Sequence, residues 1–255
     1  MIFQNKIKDV DKLQKEINKY RPLNPHANKQ LRQYYRIGLT YTSNAIEGNS
    51  LTEIETKIIL EDGITIGGHS IKELQEAIGH SEAYDLLYTL SKNKVIIEKD
   101  IKELHRIFYY RIDKNKAGKY RKEVVFISGT DYIPPQPQDI PALMKNLTNQ
   151  ISIWREKYHP VEFSALLHGD IVTIHPFVDG NGRTARLIMN LALLQENYII
   201  ILIPPILREE YINTLKEYNK GKTKSFIDFI SVMVYDSQKD YLRLLEALNN
   251  KGREK

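Results

Sequence analysis

In residues 161–196, VEFSALLHGDIVTIHPFVDGNGRTARLIMNLALLQE, two strongly apolar runs enclose a polar loop. The first run reads as an apolar helix halted by Pro176, whose ring cannot continue one. The second reads as a helix beginning near Thr184 and opened by Gly-Asn-Gly. Between them, residues 175–186 hold one histidine, one aspartate, an asparagine between two glycines, and two arginines. Glycines permit a tight turn and close backbone approach, and the first N–H groups of a helix lack intrahelical partners. Those amides, with the helix dipole, make an anion-binding concavity. Arg183 and Arg186 project from neighbouring positions of that helix, and a guanidinium fork suits phosphate oxygens. Asp179 is a hard oxygen ligand of the kind a nucleotide's magnesium takes. His175 is the nearby side chain able to accept a proton near neutral pH.

Each group alone has an ordinary explanation. A glycine pair is more often a turn than a phosphate cradle, and a histidine before a proline is usually structural. Asp-Gly-Asn-Gly resembles a piece of a calcium loop, but the other carboxylates and the closing Glu are absent. Base, metal ligand, amide nest and two arginines in one loop-to-helix unit point together to phosphate chemistry.

Working outward, helical signals dominate. Ser70 and Glu73 read as a capping box before Ile71, Leu74 and Ile78, and Asp100 with Glu103 repeats the device before Leu104 and Phe108. Pro141 stands at the opening helical position that Pro favours, before Leu143, Met144, Leu147 and Ile151. A last long helix is expected over 225–248. Only EVVFISGTDYIPP, 123–135, reads as β structure: two β-prone runs flank turn-forming Ser128–Asp131, and the prolines stop any longer strand. Upstream, TSNAIEGNSLT, 42–52, reads as a helix–turn–helix connection. Ser43 and Glu47 share a face, Gly48 ends the helix, and Thr52 with Glu55 caps the next.

At 255 residues, 42% hydrophobic and 27% charged, the chain has the composition of an ordinary globular protein with a sizeable core. Its net charge of +5 suits nucleotide or acidic partners, though scattered lysines explain it equally well. The absence of cysteine excludes thiol catalysis, disulfides and cysteine-bound metal. The N-terminal 20 residues carry charges every few positions, and YIIILIPPIL, 198–207, is too short and too broken by proline to span a bilayer. A soluble, cytoplasmic protein without membrane or nucleic-acid partners is expected.

HPFVDGNGRTAR, 175–186, resembles the Fic family signature, H-P-F-x-[D/E]-G-N-G-R-x-x-R, at every defining position. VFISGTDYIPP is similar to the family's flap, which pairs with an extended segment of the target; Ile127, Ser128, Gly129 and Thr130 carry that resemblance. REEYINTLKEYNKGKTKSFIDFI, 208–230, resembles the region after the core, so the likeness spans most of residues 40–235. It implies a mainly α fold, a helical bundle around an active-site helix with a small β-hairpin flap. It divides the chain into an N-terminal helical region (1–98), a catalytic core with C-terminal helices (99–236), and the end of the last helix with a polar tail (237–255), in one compact unit.

The activity implied is adenylylation, the Mg²⁺-dependent transfer of AMP from ATP to a Ser, Thr or Tyr hydroxyl of a target protein. Carried over by position, His175 would be the base and Asp179 the Mg²⁺ ligand. Gly180, Asn181 and Gly182 would line the anion hole, with Asn181 near the α-phosphate; Arg183 would hold the departing diphosphate and Arg186 the γ-phosphate. Ser43–Glu47 resembles the family's inhibitory helix, [S/T]-x-x-x-E-[G/N], placed here at about 40–48. Its Glu47 would pair with Arg186 and leave ATP in a non-productive pose. Some relatives use that carboxylate to remove AMP, so Glu47 is a candidate for that second reaction. Relatives with this arrangement often form homodimers, and a homodimer is carried as an expectation. The alternatives are a Fic-type transferase using another nucleotide or phosphate-containing donor, and a nucleotide-sensing module without turnover. His168, seven residues before His175, is expected to pack and not to bind metal; His80 and His105 are expected to be structural or surface residues.

Overall fold

The computed structural model describes residues 3–65, 67–127 and 129–251, with side chains as far as Asn249. Among the described residues ten α-helices follow one another: α1 (Ile7–Asn18), α2 (Pro25–Ile46), α3 (Glu53–Asp62), α4 (Ile71–Leu90), α5 (Glu98–Tyr109), α6 (Ile140–Lys157), α7 (Pro160–Ile174), α8 (Asn181–Gln195), α9 (Arg208–Tyr218) and α10 (Lys224–Lys251). The helix starts follow local chemistry. Asn24 caps α2 by accepting from the Ala27 amide, with Pro25 at the first helical position, whose missing N–H costs nothing there. Thr52/Glu55 and Ser70/Glu73 form reciprocal capping boxes at α3 and α4.

Two starts differ from the sequence expectation. α5 begins at Glu98, and Asp100 lies inside it, its carboxylate accepting the Ile97 amide at 2.9 Å. Asp100 therefore supplies the reciprocal half of a cap and not the cap itself. α8 begins at Asn181 and not near Thr184, so the glycine-rich segment forms its first turn.

α8 is the axis of the fold. Every residue from Arg183 to Leu193 is buried, as expected of a helix surrounded on all sides. α7 and α4 pack against it, and α10 packs against α7 and α1. Leu187, Ile188 and Leu191 of α8 join Phe163, Leu167 and Ile171 of α7 in the main core. Met189 and Leu193 face a second core built with α9 and α10. The buried polar Asn190 is satisfied: its amide donates to the Arg186 and Ile201 carbonyls and accepts from the Ile201 amide.

The β-hairpin expected at 123–135 is corrected by the structure: no strand occurs among the described residues of this segment. Gly129 takes the left-handed turn, but Pro134 and Pro135 lack the N–H groups a ladder needs. The two limbs are held instead by Arg121, whose guanidinium donates to the Glu123 carbonyl at 2.9 Å and the Pro135 carbonyl at 2.6 Å. Val124, Phe126 and Ile133 point into solvent, so the segment has no core face to fix a register. Ser128 lies outside the described residues.

Candidate active site

α7 ends where His175 turns left-handed (φ 51°, ψ 57°), which throws the chain out of the helix and into the loop before α8. Three side chains fix that loop. Arg121, itself buried, donates from Nε to the His175 carbonyl at 2.8 Å, and its amide donates to the Pro176 carbonyl at 2.9 Å. Asn181 clamps Phe177 from both sides, accepting its amide and donating to its carbonyl, each at 2.8 Å. His105 of α5 accepts the Gly118 amide at Nδ1, which places the proton on Nε2 for donation to the Asp179 carbonyl at 3.1 Å. Its ring lies flat on Phe177, 3.7 Å between centroids.

Burial pushes the His105 pKa down to about 4 from its ordinary 6.5, against the raising pull of Asp179. The unfolded chain takes up this proton below about pH 6.5, the folded one only near 4, so stability is lost as pH falls through that window. His105→Gln is expected to reduce proton uptake on unfolding by up to one across it, read from the pH dependence of the urea midpoint. An unchanged slope contradicts a buried neutral His105.

The N-terminus of α8 is open. Gly180 occupies its N-cap without a side-chain cap, so the amides of the first turn have no intrahelical acceptor. Gly180 is left-handed (φ 77°), and a Cβ there would lie 2.7 Å from the Phe108 ring. A Cβ on Gly182 would lie 2.3 Å from Glu47 Oε1 and 3.2 Å from Arg186 Nη1. The glycines thus let other groups approach this backbone closely. Asp179 stands at the rim, its side chain 41% exposed, with Oδ1 accepting the Gly180 amide at 2.6 Å and Arg183 Nη2 at 3.4 Å.

His175 is half-buried, and Nδ1 lies 3.3 Å from the Val172 carbonyl. A proton on Nδ1 satisfies that contact and leaves Nε2 with its lone pair. Burial lowers its pKa to about 4, against the raising influence of the Val172 bond, Glu47 and Asp179. The ring is neutral at pH 7.

Arg186 is the most enclosed charge, 1% exposed. Nε donates to Ser43 Oγ at 2.9 Å and Nη2 to the Ser43 carbonyl at 2.8 Å; Nη2 also reaches Glu47 Oε1 at 2.7 Å, and Nη1 reaches Tyr211 Oη at 3.1 Å. Burial works against its charge, but Tyr211 and Glu47 outweigh it and keep the guanidinium protonated. Burial likewise opposes the Glu47 charge, while Arg186 and Arg183 hold that carboxyl below its usual range. Arg183 pairs with Glu76 of α4, Nη1 to Oε1 at 2.9 Å, and lies over the Phe108 ring. His168 accepts or donates at Nε2 with Tyr211 Oη, 2.9 Å away, as part of this packing.

The structure therefore brings together Ser43, Glu47, Asp179, Gly180, Gly182, Arg183 and Arg186, with His175 at the head of the same loop. Asn181 lies in the same turn, but its side chain is spent on Phe177, so its backbone amide is what remains for an anion. Ile127, Gly129 and Thr130 sit in the strandless segment whose limbs Arg121 joins, the same guanidinium donating to the His175 carbonyl. Tyr132 ties that segment down by donating to the Thr173 carbonyl at 3.0 Å. A cavity of about 530 Å³ opens between Gly129–Tyr132 and Lys216, Asn219 and Lys220. Sequence reasoning missed Arg121, Glu76 and Tyr211 as members of this site. None lies near the motif in the chain, and a lone buried charge or tyrosine leaves no periodic trace.

Residues 95–193 match the family model described as Fic/DOC family. Over 193 residues, 75% of this chain, it is 38% identical to "Protein adenylyltransferase Fic" of Drosophila willistoni, of which the match covers 38%. The chain thus spans about two fifths of the length of the curated relatives it matches. The solved structure of Fic-1 (aa134–508) from C. elegans is 30% identical with a TM-score of 0.84, covering 96% of this chain and 72% of that one. A Fic domain containing signaling protein from Bacteroides thetaiotaomicron is 27% identical with a TM-score of 0.85, covering 93% and 98%.

Proposed function

Because the chain belongs to the Fic/DOC family, we propose that it transfers AMP from ATP to a side-chain hydroxyl of a protein and that Glu47 restrains it. The observation that carries this reading is the arrangement at the head of α8: open amides, two buried arginines and a neutral histidine at one loop, with Glu47 on the second arginine. Open amides and guanidinium groups aimed at one place stabilise charge on transferring phosphates without reorganising. Arg183 lies beside Asp179, suited to the leaving diphosphate, and Arg186 lies deeper, suited to the terminal phosphate. The nucleoside would extend into the cavity beside Tyr132.

In the reaction, the target hydroxyl oxygen bonds to the α-phosphorus as the bond to diphosphate breaks. The hydroxyl proton passes to His175 Nε2, and the lowered pKa of that ring lets it return the proton to water before the next turnover. Among the described residues no group of three or more His, Asp or Glu side chains converges on a metal site. A nucleotide-bound Mg²⁺ needs only one or two protein carboxylates besides phosphate oxygens, and the partly exposed Asp179 fits that demand. When bound, Mg²⁺ would neutralise charge on the phosphates.

Mass spectrometry of a lysate treated with the Glu47→Gly enzyme, ATP and Mg²⁺ tests the reading: proteins should gain one AMP at a hydroxyl. A phosphate adduct or none overturns it. The same variant should show kcat/KM for ATP that is flat through neutral pH and falls only as pH approaches about 4, where His175 takes up a proton. An acid limb at 6.5 would place the working base elsewhere.

A further inference from the structure

Arg186 is not the only signature arginine matched to a carboxylate from the N-terminal helices. Arg183 is held by Glu76, which is 6% exposed and divides its two oxygens between different tasks. Oε1 lies 2.9 Å from Arg183 Nη1, while Oε2 accepts from Asn49 Nδ2 at 3.0 Å. Lys72 approaches Oε1 only to 3.9 Å.

Glu76 is the close partner of Arg183. The contacts of that guanidinium with Asn44 Oδ1 and Asp179 Oδ1 are both 3.4 Å, and its Nε has no hydrogen-bond partner among the described residues. A buried guanidinium with one short ion pair sits where that pair puts it. Here that is with Nη2 turned toward Asp179.

Asn49 lies in the turn directly after Glu47, and its amide and side-chain polar groups are engaged. Its amide donates to the Asn44 carbonyl at 3.1 Å, Oδ1 accepts the Leu51 amide at 3.0 Å, and Nδ2 also donates to the Glu73 carbonyl at 3.1 Å. Swinging this turn away from α4 strands buried polar groups, which opposes the motion. The turn carries Glu47 to Arg186, so one carboxylate touches both the arginine of the leaving-group side and the anchor of the restraint.

We propose that Glu76 is a positioning residue shared by the nucleotide site and its brake: one oxygen sets Arg183, and the other, through Asn49, holds the turn that presents Glu47. This inference rests on the AMP-transfer reading above, since it takes Arg183 as a nucleotide ligand. It places the brake and the phosphate site on one carboxylate, each held by its own oxygen.

Two variants separate the two tasks. Asn49→Ala removes the Glu76 link together with the Glu73 and Leu51 contacts of the same side chain, leaves Glu76 Oε1 on Arg183, and should raise AMP transfer of the otherwise wild-type enzyme about tenfold. In the Glu47→Gly background the same change should do nothing. Glu76→Gln in the Glu47→Gly background should raise the KM and dissociation constant for ATP about tenfold, with kcat changed less. A merely structural role would lower the active fraction, and so kcat, while leaving KM and ATP affinity in place. Wild-type transfer by Asn49→Ala, or unchanged ATP KM in Glu76→Gln, overturns the proposal. If Glu47→Gly itself transfers no AMP, the transfer reading fails, and calorimetry with ATP then decides on Glu76: unchanged affinity in Glu76→Gln removes its role as well. Should Glu76→Gln not fold, Asn49→Ala decides alone.

Discussion

Replacing Glu47 by glycine is expected to raise AMP transfer by about 100-fold, corresponding to ~3 kcal/mol of restraint removed from a charge-assisted pair. The pair that is lost is a single 2.7 Å contact, but it occupies Nη2 of a guanidinium that is 1% exposed. On the proposed reading, that carboxylate occupies a donor that a terminal phosphate would otherwise take. Its remaining contacts with Ser43 and Tyr211 are untouched by the substitution, so the guanidinium stays oriented once freed. The backbone cost is small, because Glu47 lies beyond the last residue of α2 at φ −88°. Initial rates of AMP incorporation, measured beside ATP affinity, check this. An unchanged rate and affinity would mean that Glu47 does not restrain the site.

In that released background, replacing His175 by alanine is expected to reduce transfer by about 10²- to 10⁴-fold while ATP still binds, the range for loss of a general base. Among the described residues the side chain hydrogen-bonds only to the Val172 carbonyl, and the loop is fixed by Arg121, Asn181 and His105. The phosphate-binding turn should therefore survive the change. His175 is left-handed, a conformation that costs alanine more than asparagine, so His175→Asn serves as the companion variant that keeps the backbone. Both should lose transfer and retain nucleotide. A variant that keeps its rate would assign the proton to another group.

The helical architecture was legible because its signals are local. Apolar runs around 161–174 and 187–194, the capping boxes of α3 and α4, and the stop at Pro176 each act within a few residues, and the structure follows them. The position of α5's start was misread since Asp100 and Glu103 satisfy the same spacing rule as Ile97 and Asp100, and only the extended Ile97 backbone chooses between them. The hairpin was misread because β-prone composition does not supply a partner: with prolines in one limb and solvent on the outer face, Arg121 holds the limbs by their carbonyls. In the site, the motif loop was readable as one continuous run. The groups that hold it, Arg121, His105, Tyr211 and Glu76, come from four other stretches of chain, and burial converts each from an ordinary residue into a positioning group. No spacing rule connects them.

The most direct test of the central claim follows which phosphate of ATP ends on protein. Glu47→Gly enzyme would be incubated with Mg²⁺ and a lysate, with ATP labelled at either the α- or the γ-phosphate. The account predicts protein-bound label from α-labelled ATP alone, absent when His175→Ala is added. Protein-bound label from γ-labelled ATP, or α-label that persists without His175, would contradict it.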